Sequence, residues 1–239
     1  MASMHTQELK FKIAVLVVVA VISGYVLWYF ILPLALRYEK LDMFSDYYWV
    51  VNSKDEIRQL VISFKNNGTQ DLTITEVWIN GFLINSTDWG GYFGAAIQSS
   101  LTNTFYVAPR DLIFESSQTY NFTVVTSSRN CYTFTLQVDE NNTRNEKVKI
   151  SECHFYHIPP LSGEPVIGIQ VEDLGGTDVI VKEVWIDDAF YSVEPRLWLH
   201  TFYSSAGIQM NFPWREGETY TVKIKTVAGS TAEITATAD

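Results

Sequence analysis

Gly68-Thr69-Gln70-Asp71-Leu72-Thr73-Ile74-Thr75-Glu76-Val77-Trp78-Ile79 returns without a gap as Gly175-Gly176-Thr177-Asp178-Val179-Ile180-Val181-Lys182-Glu183-Val184-Trp185-Ile186. A block repeated at this spacing is the mark of a tandem duplication, and it decides the fold class. Within the block Leu72 and Ile74 share one parity, while Val77 and Ile79 share the other. A β-bulge near Thr75-Glu76 brings all four to one side and turns Trp78, and its counterpart Trp185, outward. The likeness extends to Ala95, Ile97 and Gln98 against Ala206, Ile208 and Gln209, and to Thr119, Tyr120 and Thr126 against Thr219, Tyr220 and Thr226.

The flanking segments alternate in the same way. Leu60, Ile62 and Phe64, then Tyr132, Phe134, Leu136 and Val138, carry the period-two signature of half-buried strands. Ile167, Ile169 and Val171, then Tyr220, Val222 and Ile224, repeat it downstream. No long amphipathic helix follows residue 40. The pattern predicts an all-β protein of two tandem immunoglobulin-like sandwiches: a first module over 45–158, a Pro-rich linker over 159–165, and a second module over 166–239.

Ahead of them, 13–36 is apolar and free of charge. As a helix it would reach roughly 36 Å, enough for a hydrocarbon core of about 30 Å. It exceeds the h-region of a cleaved signal and has no small-residue cleavage site after it. The expectation is a single membrane-spanning helix, with 1–12 cytoplasmic, the bilayer as a partner and both modules outside. Lys10 and Lys12 against Arg37 and Lys40 do not orient it. The orientation rests on four acceptor sequons, Asn67, Asn85, Asn121 and Asn141, all in the first module.

The net charge of −10 and the low pI argue against nucleic acid, which is bound by clustered Lys and Arg. If 139–145 is a hairpin loop, Leu136 pairs with Val148 and Phe134 with Ile150, which sets Cys131 opposite Cys153 at disulfide distance. His154 and His157 are three apart on a strand and point to opposite faces, against a shared metal. Asp139-Glu140-Asn141-Asn142-Thr143 resembles a calcium loop but lacks its glycine and closing glutamate, and Glu172, Asp173, Asp187 and Asp188 are strand-end acids. No phosphate loop or nucleophile elbow is present, so the sequence points to neither an enzyme nor a cofactor. Outward aromatics are the remaining candidates for contact: Trp78, Trp185, and the cluster Trp89, Tyr92 and Phe93 in a Gly-rich insertion.

In Asn66 to Gly81 and in Glu218 to Thr226 the chain resembles the β domains of archaeal type IV pilins and archaellins. That resemblance implies a hydrophobic N-terminal helix joined to a β-sandwich head, self-association through the helices, and outer glycosylation. Lys10-Phe11-Lys12-Ile13 departs from the class III prepilin signal, and two modules stand where pilins carry one head. An archaellum-stator-like or envelope-attachment protein has the same layout, as does a viral surface protein. The leading expectation is a non-enzymatic surface structural protein that associates with itself or with envelope proteins; the alternative is an adhesin or receptor that holds a glycan or protein.

Overall fold

The computed structural model describes residues 15–31, 37–92, 94–157, 164–199 and 205–239. The first half carries β1 (Leu41–Val51), β2 (Ile57–Asn66), β3 (Leu72–Ile79), β4 (Phe82–Leu83), β5 (Trp89–Gly91), β6 (Ala96–Ile97), β7 (Thr102–Val107), β8 (Thr119–Thr126), β9 (Cys131–Gln137) and β10 (Thr143–Asn145). The second carries β11 (Val148–His157), β12 (Pro165–Asp173), β13 (Val179–Ile186), β14 (Ala189–Leu199), β15 (Ser205–Asn211), β16 (Thr219–Thr226) and β17 (Thr231–Thr237).

The sheet orders show the duplication directly. In the first half β10-β1-β2-β7-β5 faces β4-β3-β8-β9, and in the second β11-β12-β15 faces β14-β13-β16-β17. Each pair of sheets encloses its own core. Trp49, Leu60, Ile62, Phe105, Phe114 and Phe122 fill the first. Ile167, Ile169, Val181, Val184, Val222 and Ile224 fill the second. The bulge is where parity requires it: the register shifts between Ile74 and Glu76, and again between Val181 and Glu183. Leu72, Ile74, Val77 and Ile79 are all buried, as are Val179, Val181, Val184 and Ile186. At the start of the β8 and β16 strands, the Tyr120 hydroxyl accepts from the Glu115 N–H and the Tyr220 hydroxyl from the Arg215 N–H, both at 2.9 Å. Each bond ties a strand to the loop before it and satisfies a hydroxyl whose ring lies in the core.

The boundary between the halves differs from the expected one. β11 pairs with β12 along its length, from Val148↔Asp173 to His157↔Pro165, so 148–157 belongs to the second half. The strands that flank the expected linker 159–165 are therefore partners in one sheet; 159–163 themselves lie outside the described residues. The repeat begins earlier: Arg37-Tyr38-Glu39-Lys40 returns as Arg144-Asn145-Glu146-Lys147, at the same spacing that separates Trp78 from Trp185. In both copies this segment is held by a glycine turn. Asn67 N–H donates to the Lys40 carbonyl and Leu174 N–H to the Lys147 carbonyl, each at 2.8 Å. The match of Ile97 to Ile208 also fails. Ile208 pairs with Ile169 in β15, as Phe105 pairs with Ile62 in β7, whereas Ile97 pairs with Leu72.

The hairpin expected to join the cysteines does not form. β9 pairs with β8, Phe134 opposite Phe122, and β11 lies in the other half. Cys131 and Cys153 are both free, so the expected disulfide is corrected. Alternation shows which face a strand buries and is silent on its partner, so the wrong pairing satisfied the same pattern. Cys153 faces the second core, and burial pushes its thiol up to about 11, which leaves it an unreactive thiol.

The membrane expectation is also corrected. The helical stretch spans 15–31 and widens from α to π geometry over Leu27–Ile31, which gives a length of about 25 Å. Among the described residues no helix is long and apolar enough to cross a membrane. The expected span over 13–36, and the placement of the two ends about a bilayer that followed from it, are withdrawn; 1–14 and 32–36 lie outside the described residues.

The two halves are packed against each other. Tyr48, Val50 and Val61, on the outer face of the β1-β2 pair, bury Ala228 of the β16–β17 turn. Tyr106 and Ala108 do the same with Ile180, flanked by Trp198 and Val227. Asp178 N–H donates to the Tyr48 hydroxyl (2.9 Å), Asn52 Nδ2 to the Ala228 carbonyl (3.2 Å) and Ser53 N–H to Ser230 Oγ (3.1 Å).

One repeated residue registers this docking chemically. Glu39 and Glu146 each accept a 2.7 Å hydrogen bond, from the hydroxyls of Thr126 and Thr226. Glu39 is only lightly covered, and bonds from Ser128, Thr126 and Asn130 outweigh its desolvation and hold its carboxyl below the usual range. Glu146 is closed in, and burial pushes its carboxyl up to about 7 against the pull of Ser230 and Thr226. Its Oε1 has no hydrogen-bond partner. A carboxyl raised in the folded state adds stability below its unfolded value near 4.5, and that stability is lost as pH rises through about 7. The difference is on the order of 3 kcal/mol. Glu146→Gln is expected to flatten this part of the profile: thermal melts across pH 4.5 to 8 should show the variant gaining on the parent as pH rises. A constant offset would refute the assignment.

Candidate functional site

The bulge in β13 leaves alternate residues of the second half's outer sheet facing away from the core. Across that face the register aligns Phe190 of β14, Trp185 of β13, Lys223 of β16 and Glu233 of β17 in one row. A second row runs through Glu183, Lys225 and Thr231. Trp185 and Phe190 meet with ring centroids 5.2 Å apart, and Phe190 is 54% exposed. Asp187 and Asp188 form the tight β13–β14 turn, both in the left-handed region (φ 45° and 67°), and Asp187 Oδ1 accepts from the Thr221 N–H at 2.8 Å. Trp185, Lys223, Lys225, Thr221 and Glu233 line a groove of about 700 Å³ together with Lys54 and Gly229, and Phe190 lies against Trp185 outside that lining. An aromatic wall flanked by Lys, Thr and carboxylate groups offers ring stacking along one side and hydrogen bonds along the other.

Other expected contact residues are placed differently. Trp78 is half-buried, as Trp185 is, on the matching face of the first half, and differs in that its Nε1 donates to Glu76 Oε2 (2.8 Å). It stands opposite Thr123, and Asn121, an exposed sequon, is two positions along the same strand and on the same side. Trp89 is not a surface residue: it pairs with Val107 and packs into the first core. Tyr92 lies edge-on to Trp198 at 5.4 Å, against the second half. Phe93 falls outside the described residues. Of the expected surface patch, Trp89 is a core residue, whereas Tyr92 is exposed beside Trp198.

Of the sequons, Asn85, Asn121 and Asn141 are exposed, whereas Asn67 is half-buried and donates its amide to Asp42 Oδ2 (2.6 Å). Asn141 sits in a 3₁₀ turn capped by Asp139, where a hairpin loop was expected. His154 pairs with Glu152 (2.9 Å), while the His157 ring lies 4.8 Å from that of Trp214. Among the described residues, no three His, Cys, Asp or Glu side chains converge to hold a metal ion.

Sequence reasoning passed over the cations of this region. Beside the groove, between the two halves, a cleft of about 350 Å³ is lined by Lys54, Arg58, Arg110, Lys182 and Lys225, with Glu56 and Glu183. These residues are scattered along the chain, and no local run of charge announces them.

No protein-family model matches the chain, and no curated protein is similar to it. Among solved structures it is similar to the Pseudomonas aeruginosa CupB2 chaperone, at 9% identity and TM-score 0.25, over 80% of this chain and 97% of that one. It is also similar to the Yersinia pseudotuberculosis adhesin InvE, at 12% identity and TM-score 0.30, over 83% of this chain and 43% of the adhesin. A third likeness is to the SGBP-B protein of a Bacteroides ovatus glucan utilization locus, at 13% identity and TM-score 0.23, over 75% of this chain and 41% of that one. These neighbours are β-rich and two of them are pilus- or adhesion-related, but overlaps this small carry no argument about the present chain. None supports the archaeal part of the resemblance.

Proposed function

We propose that this chain is a non-enzymatic recognition protein of the adhesin type. It comprises two immunoglobulin-like sandwiches fixed to each other, and the second presents the Trp185 groove to a saccharide. The carrying observation is Trp185, its ring packed against Phe190, set beside Lys223, Lys225, Thr221 and Glu233 in the lining of one open groove. Sugars combine apolar ring faces with hydroxyl rims, and this wall matches both. The Trp78 face offers no equivalent, because Asn121 shares it and a glycan there would cover the ring. The second half has no sequon, so its groove stays open.

The test is binding to a glycan array and titration of the hits. Trp185→Ala is expected to weaken binding by about tenfold, the loss of one stacking contact, while Trp78→Ala leaves it unchanged. Absence of any saccharide ligand, or equal binding by Trp185→Ala, would sink the reading. The leading expectation, a structural protein that self-associates through helix 13–36, rested on a membrane span, and no helix among the described residues is long and apolar enough to be one.

A further inference from the structure

We infer that the cleft between the two halves receives the carboxylate or sulfate of an acidic saccharide, one unit along from the ring that stacks on Trp185. The inference rests on the proposed saccharide reading and names the class of sugar. The first ground is charge. The chain carries −10 overall, yet five cations and two carboxylates line the cleft. Both carboxylates are already shared: Glu56 Oε2 lies 3.0 Å from Arg58 Nε, and Glu183 holds Lys182 at 3.5 Å and Lys225 at 3.8 Å. Asp88, behind the cleft, takes Arg110 at 3.2 Å. Three carboxylates against five cations leave the positive excess in the cleft itself, whereas the adjoining groove adds Asp187, Asp188 and Glu233 against Lys223, so an anionic group is directed to the cleft end. Lys182 is half-buried, and burial holds its ammonium below the usual range although Glu183 beside it pulls the other way. A partly desolvated ammonium binds an incoming anion more strongly than an exposed one.

The second ground is continuity. Lys54, Glu183, Lys225 and Gly229 line both the cleft and the Trp185 groove, so the two basins join. The junction carries Gly229 at φ +97°, where a side chain is strained, while the matched residue of the first copy is Arg129. One extended chain can therefore lay a ring on Trp185 and a charged neighbour among Lys182, Arg58 and Lys54. The third ground is selectivity against dense polyanions. A nucleic acid needs a long cationic track and would meet the acidic remainder of the surface, whereas a short saccharide with spaced charges needs only the cleft.

The test is an array of uronate and sulfated trisaccharides, each beside its methyl-esterified or desulfated counterpart, with free sulfate and an oligothymidylate as further probes. The acidic members are expected to bind about tenfold tighter than their neutral counterparts, with the difference shrinking as salt is added. Lys182→Gln and, separately, Arg58→Gln should erase the preference without altering affinity for the neutral members. Thermal melts of both variants exclude unfolding as the cause. Trp185→Ala should weaken both classes together. Equal binding of acidic and neutral members overturns the cleft assignment and leaves the Trp185 reading in place. No binding by any member overturns both. Free sulfate or oligothymidylate matching the best trisaccharide shows a bare anion site or a polyanion site, and either result overturns the assignment to a saccharide.

Discussion

Gly175→Ala is expected to destabilise the second half by about 3 kcal/mol, a large share of a domain's stability. A Cβ at this position would stand 2.4 Å from the Asn145 carbonyl oxygen and 2.8 Å from the Lys147 nitrogen. Both are backbone atoms, so no rotamer change relieves the overlap, and either the turn or the segment leading into β11 must move. Moving it releases the Leu174 N–H bond to Lys147 and disturbs Glu146 beneath. Gly68 is in the same position in the first half, 2.4 Å from the Tyr38 oxygen and 2.8 Å from the Lys40 nitrogen, and the same substitution there should cost a similar amount. Gly207→Ala is the control, since its Cβ would meet only Gln170 Oε1 at 3.4 Å. Urea or thermal unfolding measures all three. A Gly175→Ala protein that unfolds with the parent would show that the entry segment is not clamped as described.

Ala228→Asp is expected to part the two halves while leaving each folded. Ala228 is 1% exposed, closed in by Tyr48, Val50 and Val61, and its carbonyl accepts from Asn52. A carboxylate there has no partner, and an unpaired buried charge costs roughly 3–5 kcal/mol. Separation of the halves avoids that cost by returning the charge to water. Small-angle scattering should report a larger radius of gyration, and limited proteolysis should open the chain near the junction at 143–147. The matched substitution in the first copy, Ser128→Asp, falls on an exposed turn and should change neither measurement. An unaltered radius in Ala228→Asp would mean that this contact does not hold the halves together.

That pair of variants shows how the duplication works as an internal control. Equivalent positions have the same local structure, so a change in polarity between copies reports a difference in what covers them. Ser127, Ser128 and Arg129 are exposed, whereas the matched Val227, Ala228 and Gly229 line the joint. Thr73 is exposed, and Ile180 is fully buried under Tyr106 and Ala108. On the other side of the joint, Val61 is covered by the second half, and its match, Gly168, has no side chain to bury. The interface was therefore legible in the aligned copies. Reading it required the boundary at Arg144, which the Arg-x-Glu-Lys repeat marks and a division after 158 hides.

Other features were legible in part. Parity and the bulge placed Trp185 outward, and there it forms the wall of the candidate groove. Trp89, in a Gly-rich stretch with Tyr92 and Phe93, is expected in an outward patch. Those glycines instead let β5 lie close along β7, where Gly91 faces Asn103 and Phe105, and Trp89 enters the core. The cation cleft could not be found by inspection of the chain, since Lys54, Arg110 and Lys182 are far apart in sequence.

The sequence by itself determined two copies of one strand program, the inward and outward parity of each strand, and the bulge that reconciles the two parities within β3 and β13. These follow from local sterics and from the need to bury every second side chain, which each segment expresses alone. Only the tertiary structure decided which strands pair, and so that Cys131 and Cys153 lie in separate halves. It also decided that the first half covers one end of the second, so that Glu146 is buried where Glu39 is not. A period of two says which face of a strand avoids water, and the neighbour that supplies the cover is chosen by contacts between residues a hundred positions apart.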